Sequence, residues 1–194
     1  MGKIKYIKDI REYFKESPVI SIKSLKKQIK KKDKRYIYLL VNNLLKKEEI
    51  KKITKGYYTI HEDPSLLVYC LKPSYLGLQN ALSIHNLWEQ ETNPVIISVN
   101  KVRQGLRKVF DNNVVVHRIS SKYFFGFDYH KDGDFYFPVS DIEKTFIDMV
   151  YYRQYMDREL LLEFKKRLDK KRLNNYLKNY HGRFKKRVLT IVRF

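Results

Sequence analysis

Three aspartates and one histidine alternate along a short stretch of the sequence, and together they could ligate a metal ion. They are Asp128, His130, Asp132 and Asp134. Alternate residues of a strand share one face, so carboxylate and imidazole ligands would converge there. The Asp-Gly pair at positions 132–133 is also typical of a hairpin turn, which explains the same residues without a metal. We expect the turn and no metal site.

A second group, Asp141, Glu143 and Lys144, is similar to the Asp…Glu-x-Lys pattern of nucleases but lacks the intervening residue. A capping box is the simpler interpretation, because Ser140 stands where a helix should begin and Glu143 follows three residues later. We expect His85 to close a helix by hydrogen bonding. The sequence has no Walker loop and no GxGxxG, HExxH or GxSxG motif. We therefore predict no catalytic residues, no cofactor and no enzyme activity.

Polar residues at helical spacing early in the chain could recognise the edges of DNA bases, which requires hydrogen bonding and no catalysis. Arginine can bridge O6 and N7 of guanine, and asparagine can bridge N6 and N7 of adenine. Lysines suit phosphates, which position a protein on a duplex without reading its sequence. The predicted DNA-binding residues are Lys23, Lys26, Lys27, Lys32, Lys34, Arg35, Tyr38, Asn42, Lys51, Lys52 and Lys55.

A helix followed by a hairpin would position the central residues of this set. The apolar stripe of the helix comprises Ile37, Leu40, Val41, Leu44 and Leu45. Asp33 stands at its N-cap position. Strand-like segments at 50–53 and 57–60 then flank a turn at 54–56. Leu39 falls outside the apolar stripe, and contact with a partner, a second copy or a thymine methyl group all remain open for it.

Two shorter helices precede this pair. The apolar spacing of the first is given by Ile4, Ile7, Ile10 and Phe14. It should end before Pro18, because a residue that precedes proline avoids the α region. Ser21 should cap the second helix, residues 19–20 should pair with the hairpin, and Lys30–Lys32 should form the turn that follows. This order predicts a winged helix-turn-helix DNA-binding domain at residues 1–62, although the same module can also dock proteins.

Charge is distributed unevenly over the 194 residues, which carry a formal net charge of +20 at pH 7. Residues 1–63 hold 18 basic and 8 acidic side chains, residues 64–157 hold 10 of each, and residues 158–194 hold 13 and 3. Two basic ends around a neutral middle favour phosphate backbones as partners. A lysine-rich solvated surface is the alternative interpretation. Cys70 is the single cysteine, so no disulfide is expected.

Residues 63–194 are predicted to form a mixed α/β domain. Strands are expected at 95–99 and 114–117, and helices at 79–87 and from Ser140 onward. The segment 158–194 should be helical and basic, contacting flanking DNA, an RNA or an acidic protein, or simply facing solvent. The predicted fold class is α+β. With no signal-peptide core and no apolar run of roughly 18 residues, we expect a cytoplasmic protein without membrane contact.

The order of several motifs resembles that of a known family. The motifs lie at 55–59, 75–87, 95–99, 124–126 and 140–148, and they include the segments ALSIHNL and EKTFID. In this order they are similar to the AbiEi family of antitoxins, from type IV toxin–antitoxin systems linked to phage defence. This chain has Asn86 where the family has a glycine after the histidine, and Glu48-Glu49 where the family has a glycine before the wing.

The resemblance implies a transcriptional autorepressor and antitoxin. Its winged helix would bind inverted repeats of double-stranded DNA in its own promoter, as a homodimer, and the chain would counteract a nucleotidyltransferase-type toxin without requiring a stable complex. Two alternatives remain open at this point: a DNA-targeted nuclease-like enzyme, and a plain transcriptional regulator with an effector-sensing C-terminal domain. A neighbouring nucleotidyltransferase gene would favour the first interpretation.

Overall fold

In a computed structural model, which describes residues 7–29, 34–90 and 92–192, the chain divides into two compact units. The first comprises Met1–Cys70 and Lys108–Asn112, and the second comprises Leu71–Arg107 and Asn113–Phe194. Contacts therefore place the division after residue 70, whereas the sequence places it after residue 62. The predicted α+β fold class is confirmed, since helices and two sheets are both present.

The first unit combines short helices with a small antiparallel sheet. Its elements are α1 (Ile7–Glu16), β1 (Ile20–Ser21), α2 (Ile22–Gln28), α3 (Lys34–Lys46), β2 (Lys51–Thr54), β3 (Tyr57–Thr59), a 3-10 turn (Pro64–Leu66) and α4 (Leu67–Cys70). The strand order is β1-β3-β2, with Ile20 opposite Tyr58 and Lys51 opposite Thr59. The predicted pairing of the segment after Pro18 with the hairpin is therefore confirmed.

Local signals in the sequence explain where these elements begin and end. α1 ends at Glu16, just before the Ser-Pro pair. The Ser21 hydroxyl accepts a hydrogen bond from the Ser24 amide at 3.0 Å, as predicted for the N-cap of α2. Gly56 turns the hairpin with a φ of +80°. The predicted cap Asp33 and the predicted turn Lys30–Lys32 lie outside the described residues, as does Ile4.

The end of α3 shows how a chain without the expected glycine makes the joint to the hairpin. Glu48 adopts a φ of +57°. Its amide donates to the Leu45 carbonyl and the Glu49 amide donates to the Leu44 carbonyl, both at 3.0 Å. This pair of bonds is a Schellman motif, in which glycine is the usual residue at the left-handed position. Glutamate therefore occupies a glycine conformation.

The second unit is built on a mixed sheet, of which only Lys108–Asn112 are assigned to the first unit. Its elements are β4 (Ser74–Leu76), α5 (Leu78–Ile84), β5 (Val95–Ser98), β6 (Gly105–Val109), β7 (Asn112–Arg118), a 3-10 turn (Ser121–Tyr123), β8 (Phe127–Asp132), β9 (Phe135–Ser140), α6 (Ile142–Tyr151), α7 (Arg158–Arg167), α8 (Lys170–Leu177) and α9 (Gly182–Val192). The sheet order is β6-β7-β5-β4-β9-β8, with β4–β9 and β5–β7 parallel. α6 and the three C-terminal helices share one core with β4 and β5.

Two predictions of turns and caps in this unit are wrong. β8 continues through Asp132, which pairs with Phe135, so the hairpin tip is Gly133-Asp134 instead of Asp132-Gly133. The N-cap of α6 is Asp141, whose carboxylate accepts from the Lys144 amide at 2.8 Å. Ser140 cannot cap the helix because it is the last residue of β9 and pairs with Phe127.

The helical predictions for the C-terminal segment are confirmed. The buried side chains of residues 158–192 recur at helical spacing and include Leu160, Phe164, Leu168, Leu173, Leu177, Tyr180, Phe184 and Val188. Their burial makes these helices an integral part of the second unit. Within the described ranges, no helix combines the length and the apolar content needed to cross a membrane.

Candidate nucleic-acid interface

The outward face of α3 is the centre of the candidate interface. Its buried stripe of Ile37, Leu40, Val41 and Leu44 packs into the core of the first unit. At about 100° per residue, Arg35, Leu39, Asn42 and Lys46 fall within an arc of about 60° on the opposite side. All four are exposed, and Leu39 is 56% exposed. The face thus combines a guanidinium, an amide and an ammonium around one apolar side chain.

Tyr38 lies at one edge of this face, where it meets α2. Its side chain is 47% exposed, and the Nζ atom of Lys26 lies 5.5 Å from its ring centroid. A cation over an aromatic face is attracted by the ring quadrupole. Burial raises the pKa of the neighbouring Tyr58, and Tyr38 contributes a smaller increase. Two predicted contact residues, Lys26 of α2 and Tyr38 of α3, are therefore brought together.

The other lysines of α2 face solvent. Lys23 and Lys27 are exposed and four residues apart, so they share one side of the helix. The opposite side buries Ile22 and Leu25. In their described residues, α2 and α3 contain no aspartate or glutamate. The two helices together therefore present positive charge that no acidic residue of their own offsets.

The hairpin carries less free charge than the sequence predicts. Lys52 and Lys55 are exposed, but Lys51 forms an ion pair with Glu62. Nearby, Arg11 donates two hydrogen bonds to Glu49, from Nε and Nη2, each 2.7 Å long. These bonds lower the pKa of Glu49 and tie the loop after α3 to α1. Lys52 and Lys55 thus remain the charged contacts available on the hairpin.

Two of the predicted contact residues cannot be placed. Lys32 lies outside the described residues. Lys34 begins α3, but only its backbone is described. Every other residue of the predicted set lies on α2, α3 or the β2–β3 hairpin.

Two catalytic candidates of the second unit, Glu143 and His85, have structural partners. Glu143 is buried, and its Oε1 accepts from the Asp169 amide at 2.8 Å, so it supports the start of α8 and is not part of a capping box for α6. The ring of His85 bonds the Ser140 carbonyl at 2.6 Å, and burial lowers the pKa of this histidine. The neutral ring therefore donates from Nε2. Within the described part of the chain, no three histidine, cysteine or acidic residues gather in a metal-binding group.

The ion pair of Lys144 and Asp148, the most deeply buried among the described residues, was not predicted from the sequence. Lys144 and Asp148 form an ion pair with both side chains at 0% exposure. The Tyr75 hydroxyl donates to the second carboxylate oxygen of Asp148 at 2.7 Å. The four-residue spacing of a lysine and an aspartate on a helix predicts an ion pair. Such pairs more often lie on the protein surface than in the core. Complete burial excludes this pair from any contact with a nucleic acid.

Comparison with known proteins identifies a shared fold. No family model matches the chain, and no curated protein matches it. Among solved structures, it is similar to the crystal structure of the RV2827C protein from Mycobacterium tuberculosis, with a TM-score of 0.56 and 12% sequence identity. The match covers 97% of this chain and 77% of that chain. At this identity the likeness establishes that nearly the whole chain shares the fold of that protein.

Proposed function

We propose that residues 1–62 form a winged helix-turn-helix and that the chain is a DNA-binding transcriptional autorepressor. The element order α1-β1-α2-α3-β2-β3 supports this, with α2 and α3 as the helix pair and the β2–β3 hairpin as the wing. In such domains the second helix of the pair enters the major groove and the first crosses the backbone. The lysines of α2 would then lie at phosphates and the outward face of α3 at base edges.

The observation that carries the proposal is the outward face of α3. Arg35 and Asn42 are exposed opposite a buried stripe, and the same unit exposes lysines on α2 and on the hairpin. These are side chains that can read guanine and adenine, positioned by side chains that can neutralise phosphates. A face that served only solubility would not need to combine base-reading residues with exposed lysines on the elements before and after α3.

A salt titration of binding to the duplex upstream of its own gene tests this proposal. Each lysine at a phosphate adds about 0.9 to the steepness of log K against log salt. Replacing both Lys23 and Lys27 by alanine should therefore flatten the slope by about 2. Lys101→Ala, an exposed lysine of the second unit, is the control and should leave the slope unchanged. Equal slopes for all three proteins would show that the lysines of α2 do not contact phosphates.

We further propose that the chain acts as an AbiEi-type antitoxin against a nucleotidyltransferase toxin, in the cytoplasm, with two copies bound to inverted repeats of its operator. The order of the motifs from residue 55 to residue 148 supports this part. The test is growth rescue when the chain is co-expressed with a nucleotidyltransferase encoded beside it. Rescue by a variant with Arg35→Ala would separate toxin neutralisation from operator reading, whereas absence of rescue by the unchanged protein would contradict the antitoxin role.

A further inference from the structure

Leu39 is a large apolar residue at a position where solvent exposure alone would favour a polar one. It is 56% exposed, and its neighbours one helical turn away on α3 are Arg35 and Asn42. In the described residues, the outward arc of α3 is otherwise made of Arg35, Asn42 and Lys46. The buried stripe of α3 already packs the core without Leu39. Its apolar side chain is therefore available for contact with a partner outside the first unit.

The major groove of DNA offers a single apolar group for such a contact. It is the C5-methyl group of thymine, since the other base edges present hydrogen-bond donors and acceptors. A leucine between an arginine and an asparagine can meet that methyl group while its neighbours bond the adjacent bases. Tyr38, held beside Lys26 at the edge of the same face, adds aromatic surface next to it. The mixture of side chains suits a site in which a thymine lies beside positions read by hydrogen bonds.

We propose that Leu39 is a specificity-determining residue that contacts a thymine methyl group in the operator. This inference rests on the proposed DNA-binding function and adds to it the chemistry of one base position. The operator half-site would contain an A·T pair whose thymine faces the middle of α3. Uracil, which pairs like thymine but lacks the methyl group, would be recognised less well at that position.

The experiment compares two versions of one probe. The duplex upstream of the gene is amplified once with dTTP and once with dUTP, which gives thymine and uracil probes of otherwise identical sequence. The full-length chain should bind the uracil probe about fourfold more weakly for each contacted methyl group, from the free energy of burying one such group. Leu39→Ala should bind the two probes with nearly equal affinity, because the methyl side chain of alanine is too short to keep the contact that leucine makes.

Leu162→Ala is the matched control, since Leu162 is another exposed helical leucine, 47% exposed, on α7 of the second unit. It should retain the preference of the unchanged protein for thymine. Any general effect of uracil on the duplex is common to all three proteins and cancels in the comparison. Alanine is a strong helix former, and circular dichroism checks that α3 survives the substitution.

The possible results distinguish a failure of the Leu39 contact from a failure of the proposed DNA binding. Equal binding of both probes by the unchanged protein would overturn the role of Leu39 and leave DNA binding intact. A uniform loss of affinity by Leu39→Ala, with an unchanged thymine preference, would also overturn it and indicate a contact between protein copies. Failure of the unchanged protein to bind either probe at modest salt would overturn the DNA-binding proposal together with this one.

Discussion

Two helices of this protein, α3 in the first unit and α6 in the second, mix charged and apolar residues and use them in opposite ways. α3 buries one stripe and leaves Arg35 and Asn42 in solvent. α6 is buried from Glu143 to Val150, including its lysine and its aspartate. A charged helical residue is therefore a candidate for contact with a nucleic acid only after its own partners in the fold have been identified.

The difference follows from how many sides of each helix are covered. α6 packs in one core with β4, α5, α7 and α8, so it has no solvent side for Lys144 and Asp148. Burial lowers the pKa of Lys144 and raises that of Asp148, and the attraction between the two opposes both shifts. The outward face of α3 has no such cover within its described unit. Its side chains at positions 35, 39, 42 and 46 are exposed and accessible from outside the unit.

The largest expected effect comes from breaking the buried pair. Lys144→Met would leave the Asp148 carboxylate buried without its cation, and it should reduce the free energy of unfolding by about 3–5 kcal/mol. Urea denaturation measures this loss. Lys165→Met on α7 is the control, because this lysine is exposed and its replacement should cost no more than about 0.5 kcal/mol.

A double variant sharpens the same test. Lys144→Met combined with Asp148→Leu removes both charges, so it should recover much of the stability that the single variant loses. If the single variant proved as stable as its control, the contrast between α6 and α3 would be wrong.

The next largest effect should appear in binding and not in stability. Arg35→Ala should relax preference at one base position by about 1–3 kcal/mol, because one bidentate contact to guanine is lost. Selection of binding sites from a randomised pool measures this change. Arg103→Ala, an exposed arginine of the second unit, should select the same sequence as the unchanged protein. An unchanged preference for Arg35→Ala would place the base contacts elsewhere.

A third effect compares the helix caps of the two units. Asp141→Ala removes the cap of α6 and also the acceptor of the Tyr176 hydroxyl, which lies 2.6 Å from Asp141 Oδ2. Ser21→Ala removes the cap of α2 and its contact with Ser24. Loss of a cap costs about 1 kcal/mol, and we expect Asp141→Ala to cost more because a second polar group loses its partner. Thermal unfolding of the two variants ranks them, and the reverse order would contradict the role of Tyr176.

The smallest effect should be a gain in stability. Glu48→Gly should stabilise the chain by about 1 kcal/mol, because glycine adopts a positive φ without the penalty that a side chain incurs. Asn86 has a φ of +52° at the corresponding position after α5, and Asn86→Gly should gain less, because asparagine tolerates this conformation better. Melting temperatures of the two variants test this order. A loss of stability for Glu48→Gly would show that its side chain has a role beyond the turn.

The local spacing of residues predicted many helices and strands of this fold. It did not predict features that depend on packing between distant segments. Repeats of apolar residues gave α3 and the C-terminal helices, and Ser21 was correctly predicted as a cap. Ser140 was not, because pairing of β9 with β8 commits it to the sheet and shifts the cap to Asp141. The ion pair of Lys144 could not be placed inside the molecule, since its spacing is equally suited to a surface. The DNA-contact residues stay a prediction.

The hydroxyl of Tyr75 connects β4 to α6 through Asp148, so strand and helix are joined by a buried polar bond. Neither element can separate from the other without exposing a carboxylate, an ammonium and the surrounding aromatic rings together. The amide protons of α6 should therefore exchange with deuterated solvent only through opening of the whole second unit. Their exchange rates would report the global stability of that unit, one residue at a time.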